Sequence, residues 1–361
     1  MLSIAGEIVV PRRYFACGCG RSAAPMDDWA GIGSRAVSDE ARRVIVLAGS
    51  TWSFEQAASK LAELCRPKTS NDTVRAVCDE EGERVDRWLR KDQASAEKLN
   101  AAPGQWEFSS DGTSVNTTDG WREIRLSVLN KRQSAPPATP QQWDQRVLPE
   151  PGARLAFCQI ADSRLIGARW RRMFEHVGVP GDALLSVIAD GAKWIWEQAN
   201  LRLPSGPGTQ WVVDVYHVSQ HLHECGKALT SRALTSRTGP PARQWAEGQL
   251  ATLLDVGGPQ FVRSLQARLE TEASGPDRAA LEKLLGYLRD NRDRMWYRQR
   301  LAEGRPIGSG LIEGGCKNVL GVRLKLNAAR WRVKRAEHMG QLRCLQYSDL
   351  WEPYWASRTA A

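Results

Sequence analysis

No stretch of this 361-residue chain approaches the roughly 18 consecutive apolar residues that a membrane helix needs. No secretory leader is expected either, because the apolar stretch Ile4–Val10 is short and interrupted by Glu7. The eight cysteines, at 17, 19, 65, 78, 158, 225, 316 and 344, are too scattered for a secreted disulfide framework. A reduced cytosolic compartment is therefore the expectation. There is no internal repeat and no long low-complexity segment, which leaves no basis for a repeat architecture. Phe and Tyr are scarce at 6 each against 15 Trp, and Trp121, Trp170, Trp194 and Trp196 are expected in the core.

What is present suits a globular protein of two or three folded units: 42% apolar residues and a mean hydropathy of -0.44. Charge is unevenly placed. The chain carries a formal +9, and Arg289–Arg343 alone holds 14 Lys/Arg against 5 Asp/Glu. Such a concentrated basic region fits a phosphate-rich partner, with a solvated helical face as the competing account.

Along the chain, Ile4–Tyr14 reads as a β segment ending in Cys17-Gly-Cys19, and residues 39–90 read as helices. Ser53-Phe-Glu-Gln56 has the form of a capping box, with Ala57, Ala58, Leu61 and Leu64 at helical spacing. After Arg66-Pro-Lys-Thr-Ser70 a third helix runs through Val74, Val77 and Val85. A helix-turn-helix and an ordinary helical bundle both fit, since the last helix turns acidic at Asp79, Glu80 and Glu81. From residue 104 the pattern changes. Gln105–Ser110 alternates and Asp111-Gly112 reads as a turn; Trp121–Leu129 alternates again. Residues 133–152 form a Pro- and Gln-rich loop. Leu155–Ile160 and the apolar runs Ala183–Ala189 and Gln210–Val215 read as strands, with helices at Leu165–His176 and Lys193–Leu201. The order β-β-β-α-β-α-β points to a mixed α/β sheet. Beyond Tyr216 the pattern is helical, broken at Gly239-Pro-Pro241, Gly257-Gly-Pro259 and Gly275-Pro276. Roughly 90 residues separate the last strand from Gly308, far above the usual 2–6 of an α/β connection, so an all-helical insertion is expected.

Three acids stand out. Asp111 and Asp190 each end a predicted strand and precede a glycine. A carboxylate there is held at a sheet edge, where metals and ligands collect; a plain Asp-Gly turn is the competing account. Glu313 lies in Pro306-Ile-Gly-Ser-Gly-Leu-Ile-Glu-Gly-Gly-Cys-Lys-Asn318. Ser309 could cap a helix there, and interior glycines weaken it by about 0.8–1 kcal/mol each unless backbone must approach something closely. Lys317, four residues on, offers Glu313 a surface ion pair instead. Asp214-Val-Tyr-His217 places two side chains on one face if the helix has begun by Asp214. His221 and His223 make a zinc site conceivable, but no cysteine lies at suitable spacing.

Asp111-Gly-Thr, Trp121-Arg-Glu-Ile, Ile188-Ala-Asp-Gly-Ala192, Val213-Asp-Val-Tyr-His217 and Gly308-Ser-Gly-Leu-Ile-Glu-Gly-Gly-Cys-Lys317 together resemble bacterial insertion-sequence transposases of the Kra type, which are similar to mutator-like DDE recombinases. The likeness runs in order over about residues 5–355. It implies a ribonuclease-H-like core in which Asp111, Asp190 and Glu313 bind two Mg²⁺ (or Mn²⁺) ions, with Asp214 and His217 as accessory site residues. It implies five regions: a zinc-ribbon remnant (1–30), helical DNA-binding residues (31–103), the catalytic core (104–221), the helical insertion (222–305) and C-terminal helices bearing the third acid (306–361). Lys317, Arg323, Lys325, Arg330 and Arg332 would contact phosphates, with Trp331 stacking on an exposed base. The partner implied is DNA in the bacterial cytoplasm, handled by a dimer or larger assembly. The sequence departs from the family at Cys17-Gly-Cys19, where two Cys-x-x-Cys pairs are usual, and at Leu326-Asn-Ala-Ala after Lys325. The first departure carries the expectation of a missing upstream portion, and with it the alternative of a DNA-binding protein without chemistry. A nuclease of the same fold is the third reading.

Overall fold

The computed structural model describes residues 1–11, 13–29, 35–65, 68–230, 242–272, 275–326 and 328–359. The expected break at Gly239-Pro-Pro241 lies outside them, as do Arg66, Pro67 and Asn327. The N-terminal β segment is two hairpins rather than one run: β1 (Leu2–Ser3) pairs with β2 (Gly6–Glu7), and β3 (Phe15–Ala16) with β4 (Ser22–Ala23). The physical reason is Gly6, whose φ of 109° lets the chain reverse where an extended strand was expected. After α1 (Pro25–Trp29) come four helices: α2 (Asp39–Thr51), α3 (Phe54–Leu64), α4 (Asn71–Trp88) and α5 (Gln93–Ala101). The Ser53 capping box is present, with Gln56 N–H donating to the Ser53 hydroxyl at 3.2 Å.

The sheet then forms as expected in order, from β5 (Gln105–Thr117), β6 (Gly120–Arg132), β7 (Ala153–Gln159), α6 (Ser163–Val177), β8 (Leu185–Ala189), α7 (Lys193–Arg202) and β9 (Thr209–Val213). The five strands lie in the order β7-β6-β5-β8-β9, antiparallel among β7, β6 and β5 and parallel from β5 through β8 to β9. It is a mixed α/β fold. One face of the sheet packs on α6: the Phe108 ring meets Trp170 at 5.2 Å and Phe174 at 5.4 Å.

Helices complete the chain: α8 (Val215–Thr230), α9 (Ala242–Val256), α10 (Gly258–Glu272), α11 (Gly275–Asn291), α12 (Tyr297–Ala302), α13 (Gly310–Gly315), α14 (Val322–Leu324), α15 (Val333–Tyr347) and α16 (Trp351–Thr359). A π-helical turn over Cys316–Gly321 joins α13 to α14. The second face of the sheet carries α13, this turn and α15, and Gly315 and Gly340 allow the close approach. A Cβ on Gly315 would sit 2.8 Å from the Leu126 side chain, and one on Gly340 would run into Cys158 Sγ. No helix among the described residues is long and apolar enough to cross a membrane.

Both readings for the N-terminal helices fit the packing. Val74, Val77 and Val85 of α4 are fully buried, and α4 is covered by α15. A Cβ on Gly82 would stand 2.5 Å from the His338 carbonyl. One face of α4 is thus packed, while Asn71, Asp72, Arg75, Glu83 and Arg87 on the other stay exposed, an arrangement compatible with both readings. Gly82→Ala is expected to lower the unfolding free energy by about 1–3 kcal/mol through overpacking, measured by denaturant melts; an unchanged midpoint would mean that α15 yields at this contact.

Of the four tryptophans expected in the core, Trp170 and Trp196 are buried and Trp194 is half-buried. Trp121 is 71% exposed, because it lies at the open tip of the β5–β6 hairpin opposite Asn116, beyond the reach of either helical layer.

Candidate functional site

Asp111 does not end a strand. β5 runs straight through it, with Asp111 opposite Leu126 and the reversal delayed to Thr118-Asp119. A 13-residue partner strand holds it extended against the local Asp-Gly turn preference. A Cβ on Gly112 would meet the Glu123 carboxylate, a half-exposed side chain that is free to swing aside. Asp190 does follow β8, whose five residues are all buried.

The parallel register pairs Ser109 with Ile188. Two residues further along each strand, Asp111 and Asp190 stand abreast, on strands spaced about 4.8 Å apart. Each carboxylate has one oxygen fixed by a nearby amide, Gly112 N–H to Asp111 Oδ1 at 2.7 Å and Ala192 N–H to Asp190 Oδ1 at 2.8 Å. Burial raises the pKa of Asp111 and the charge of Asp190 raises it further, against the Gly112 amide and His217. A desolvated carboxylate beside a second one favours a neutralising cation, and hard oxygen donors suit Mg²⁺ or Mn²⁺. The two aspartates fit such an ion.

Glu313 is placed otherwise. It lies on α13, whose next turn sets Cys316 beside Asp111: burial and then this neighbour push the Cys316 thiol up to about 12. The Glu313 carboxylate itself is half-exposed and ion-paired with Lys317 Nζ at 2.7 Å. Among the described residues, no three His, Cys, Asp or Glu side chains stand close enough together to hold a metal ion. The structure thus assembles two of the three expected acids, and the third takes the competing surface ion pair. The same finding leaves the zinc reading of His221 and His223 without support.

Asp214 has a structural role. The helix starts after it, so it caps α8: its Oδ1 accepts from Tyr216 N–H at 2.7 Å. Its Oδ2 accepts from the Ser309 amide at 3.0 Å and from the Ser309 hydroxyl. Ser309 therefore tethers residues 306–310 to α8 and does not cap α13 with its side chain. His217 lies in the first turn of α8, near enough to Asp111 to work against the rise in its pKa.

One residue that the sequence does not single out, Tyr287, supports Asp190. Tyr287 of α11 donates its hydroxyl to the Asp190 carbonyl at 3.0 Å and faces His221 with ring centroids 3.9 Å apart. Burial, and then Asp190, raise the Tyr287 pKa; burial lowers that of His221. Nothing local marks Tyr287, since it and Asp190 are 97 positions apart.

The expected phosphate contacts divide. Arg323 is 2% exposed, donates to the Gly49 carbonyl at 2.9 Å, and lies over Phe54 and Trp331. Trp331 is 5% exposed with its indole N–H on the Leu324 carbonyl. Both are packing residues here, because residues 330–331 dock on the hairpin tip through Trp331 N–H to Asn116 O and Thr118 N–H to Trp331 O. Lys317, Lys325, Arg330 and Arg332 remain exposed. Arg330 and Arg332 share a cavity of about 320 Å³ with Arg75 and Arg335. Cys17 and Cys19 are exposed free thiols on the β3–β4 hairpin.

No family model matches the chain, and no curated protein resembles it at a significant level.

Proposed function

We propose that the chain is a DDE-type DNA transposase with a ribonuclease-H-like core, acting in the bacterial cytoplasm as a dimer or larger assembly on DNA. The observation that carries the reading is the placement of Asp111 and Asp190 abreast on adjacent parallel strands, facing one another's charge. Two antiparallel strands on one side of β5 and two parallel strands on the other are in keeping with that core. Asp111 and Asp190 would hold Mg²⁺ or Mn²⁺, with Glu313 joining them on leaving Lys317. Divalent ions held there would supply charge that activates an attacking oxygen and stabilises the leaving one. His217 would donate to a phosphate oxygen, and Lys317, Lys325, Arg330 and Arg332 would hold backbone phosphates. No side-chain nucleophile is needed, so no covalent enzyme–DNA intermediate is expected.

The Glu313–Lys317 ion pair favours a second reading, a DNA-binding protein whose third acid is not engaged. One experiment separates the readings. DNA carrying the sequences that flank the gene is incubated with the chain, Mg²⁺ and a supercoiled target plasmid. Ends joined to the plasmid support a transposase. Cutting without joining indicates a nuclease, and end binding without cutting indicates the DNA-binding protein.

A further inference from the structure

A cavity of about 630 Å³ opens beside the two aspartates. Its floor includes Ser109 and Ile188, each two residues before one of them, and its wall is the Gly308–Leu311 segment that Asp214 tethers. This volume lies within the roughly 300–1,000 Å³ of small-ligand sites. Its charge is lopsided. Arg132, Arg146, Arg154 and Arg343 line it, against the acids Glu107 and Glu150.

Only Arg132 is spent on a carboxylate, Glu107 at 3.0 Å. Arg343 donates to the Val319 and Asn318 carbonyls and to Gln346. Arg154 lies over the Tyr347 ring at 4.6 Å. Arg146 donates to the Arg305 carbonyl, and its second terminal nitrogen, Nη1, is buried without a partner. Among the described residues, none of these three guanidinium groups forms an ion pair with a carboxylate within 4.0 Å. Burial lowers the pKa of both Arg146 and Arg343, which reports the cost of keeping these cations partly desolvated. An anion relieves that cost, and guanidinium groups match phosphate in geometry and charge. Trp143 and Tyr216 also line the cavity and pack together with centroids 5.4 Å apart and planes tilted by 52°, an aromatic corner beside the cationic surface.

Phosphate-binding arginines next to an aromatic surface, in a cavity of this size, match the chemistry of one nucleotide. We infer that the cavity binds a single nucleotide, its phosphate on Arg146 and Arg154 and its base against Trp143 and Tyr216. Tyr216 precedes His217 directly, so a DNA strand laid across the aspartates passes the mouth of the cavity. This deepens the proposed function and rests on it only for the source of the nucleotide, which is a unit of the bound strand or a free nucleotide.

The test is calorimetry on the full chain in EDTA, with three probes: deoxyadenosine 5′-monophosphate, deoxyadenosine, and a five-residue oligothymidylate. The monophosphate or the oligonucleotide should bind, and deoxyadenosine at least about tenfold more weakly than the monophosphate. Arg154→Ala and Arg146→Ala should each weaken binding about tenfold, and Arg154→Lys less, with thermal melting showing that each variant folds. Two variants guard against loss of fold in one, since Arg154 also covers Tyr347. Competition between the two phosphate-bearing probes places a strand unit in the cavity; binding of the monophosphate alone indicates a free nucleotide. The inference is overturned if neither phosphate-bearing probe binds, or if both arginine variants bind as the parent does. No cleavage is read and no metal is present, so failure here leaves the proposed strand chemistry standing.

Discussion

Asp190→Asn is expected to reduce Mg²⁺-dependent DNA strand cleavage by about three orders of magnitude. Charge stabilisation at a metal site is worth several kcal/mol, and about 1.4 kcal/mol corresponds to tenfold in rate. The asparagine keeps the size of the side chain and an oxygen for the Ala192 amide, now held at 2.8 Å, so the turn after β8 should survive. What disappears is one of the two charges that face each other. Asp111, whose pKa Asp190 raises, should then titrate closer to the ordinary carboxylate range. Thermal stability should be unchanged or slightly higher, because a like-charge repulsion is removed. Single-turnover cleavage of end-bearing DNA, alongside a melting curve, reads both quantities. Cleavage within about tenfold of the parent would remove Asp190 from the chemistry.

The second large effect lies far from the site. Glu81 of α4 is fully buried and serves several partners: Arg42 at 3.2 Å, Arg84 and Arg358 at 2.6 Å, and the Tyr354 hydroxyl at 2.7 Å. Arg42 is itself 1% exposed, with Nε and Nη2 unpaired. Glu81→Ala would remove the carboxylate that Arg42, Arg84 and Arg358 share. Arg42 keeps Glu80 and Arg358 keeps Asp39, so the expected loss is that of buried donors deprived of one acceptor, about 1–3 kcal/mol. Chemical denaturation should show this as a lower midpoint; a loss under about 1 kcal/mol would mean that water or Glu80 takes over the partners. The pH dependence has a definite sign. Burial pushes the Glu81 carboxyl up, but hydrogen bonds and charge from Arg358 outweigh it and hold the carboxyl below the usual value. A carboxyl depressed in the folded state stabilises above its unfolded pKa, and that contribution is lost as pH falls through the lowered folded value. The parent should therefore lose stability on acidification more steeply than Glu81→Ala.

Much of this architecture can be read from the residues. The β-β-β-α-β-α-β order follows from alternation in β5 and β6 and from the largely apolar runs of β8 and β9, because burial of one or two sheet faces imposes those patterns. Asp190 at a strand end and the Ser53 capping box rest on the same local physics. The misreadings share a cause, which is contact distant in sequence. Asp111-Gly112 has the composition of a turn, yet thirteen paired residues in β6 keep it extended. Trp331 and Arg323 look like surface groups on a basic segment until that segment docks on the β5–β6 hairpin and on Gly49. The Glu313–Lys317 pair is different in kind: its i, i+4 spacing is legible in the sequence, and the ion pair forms at 2.7 Å. The arginine-lined cavity gathers residues from six separate stretches of chain, so no local pattern announces it.

Binding of Mn²⁺ followed by electron paramagnetic resonance, with the parent, Asp111→Asn and Asp190→Asn, tests the central claim without requiring the right DNA. Saturable binding in the parent that is lost or weakened at least tenfold in each variant is the expected result. Equal binding in all three proteins, or none in the parent, would contradict a metal-dependent site built on Asp111 and Asp190.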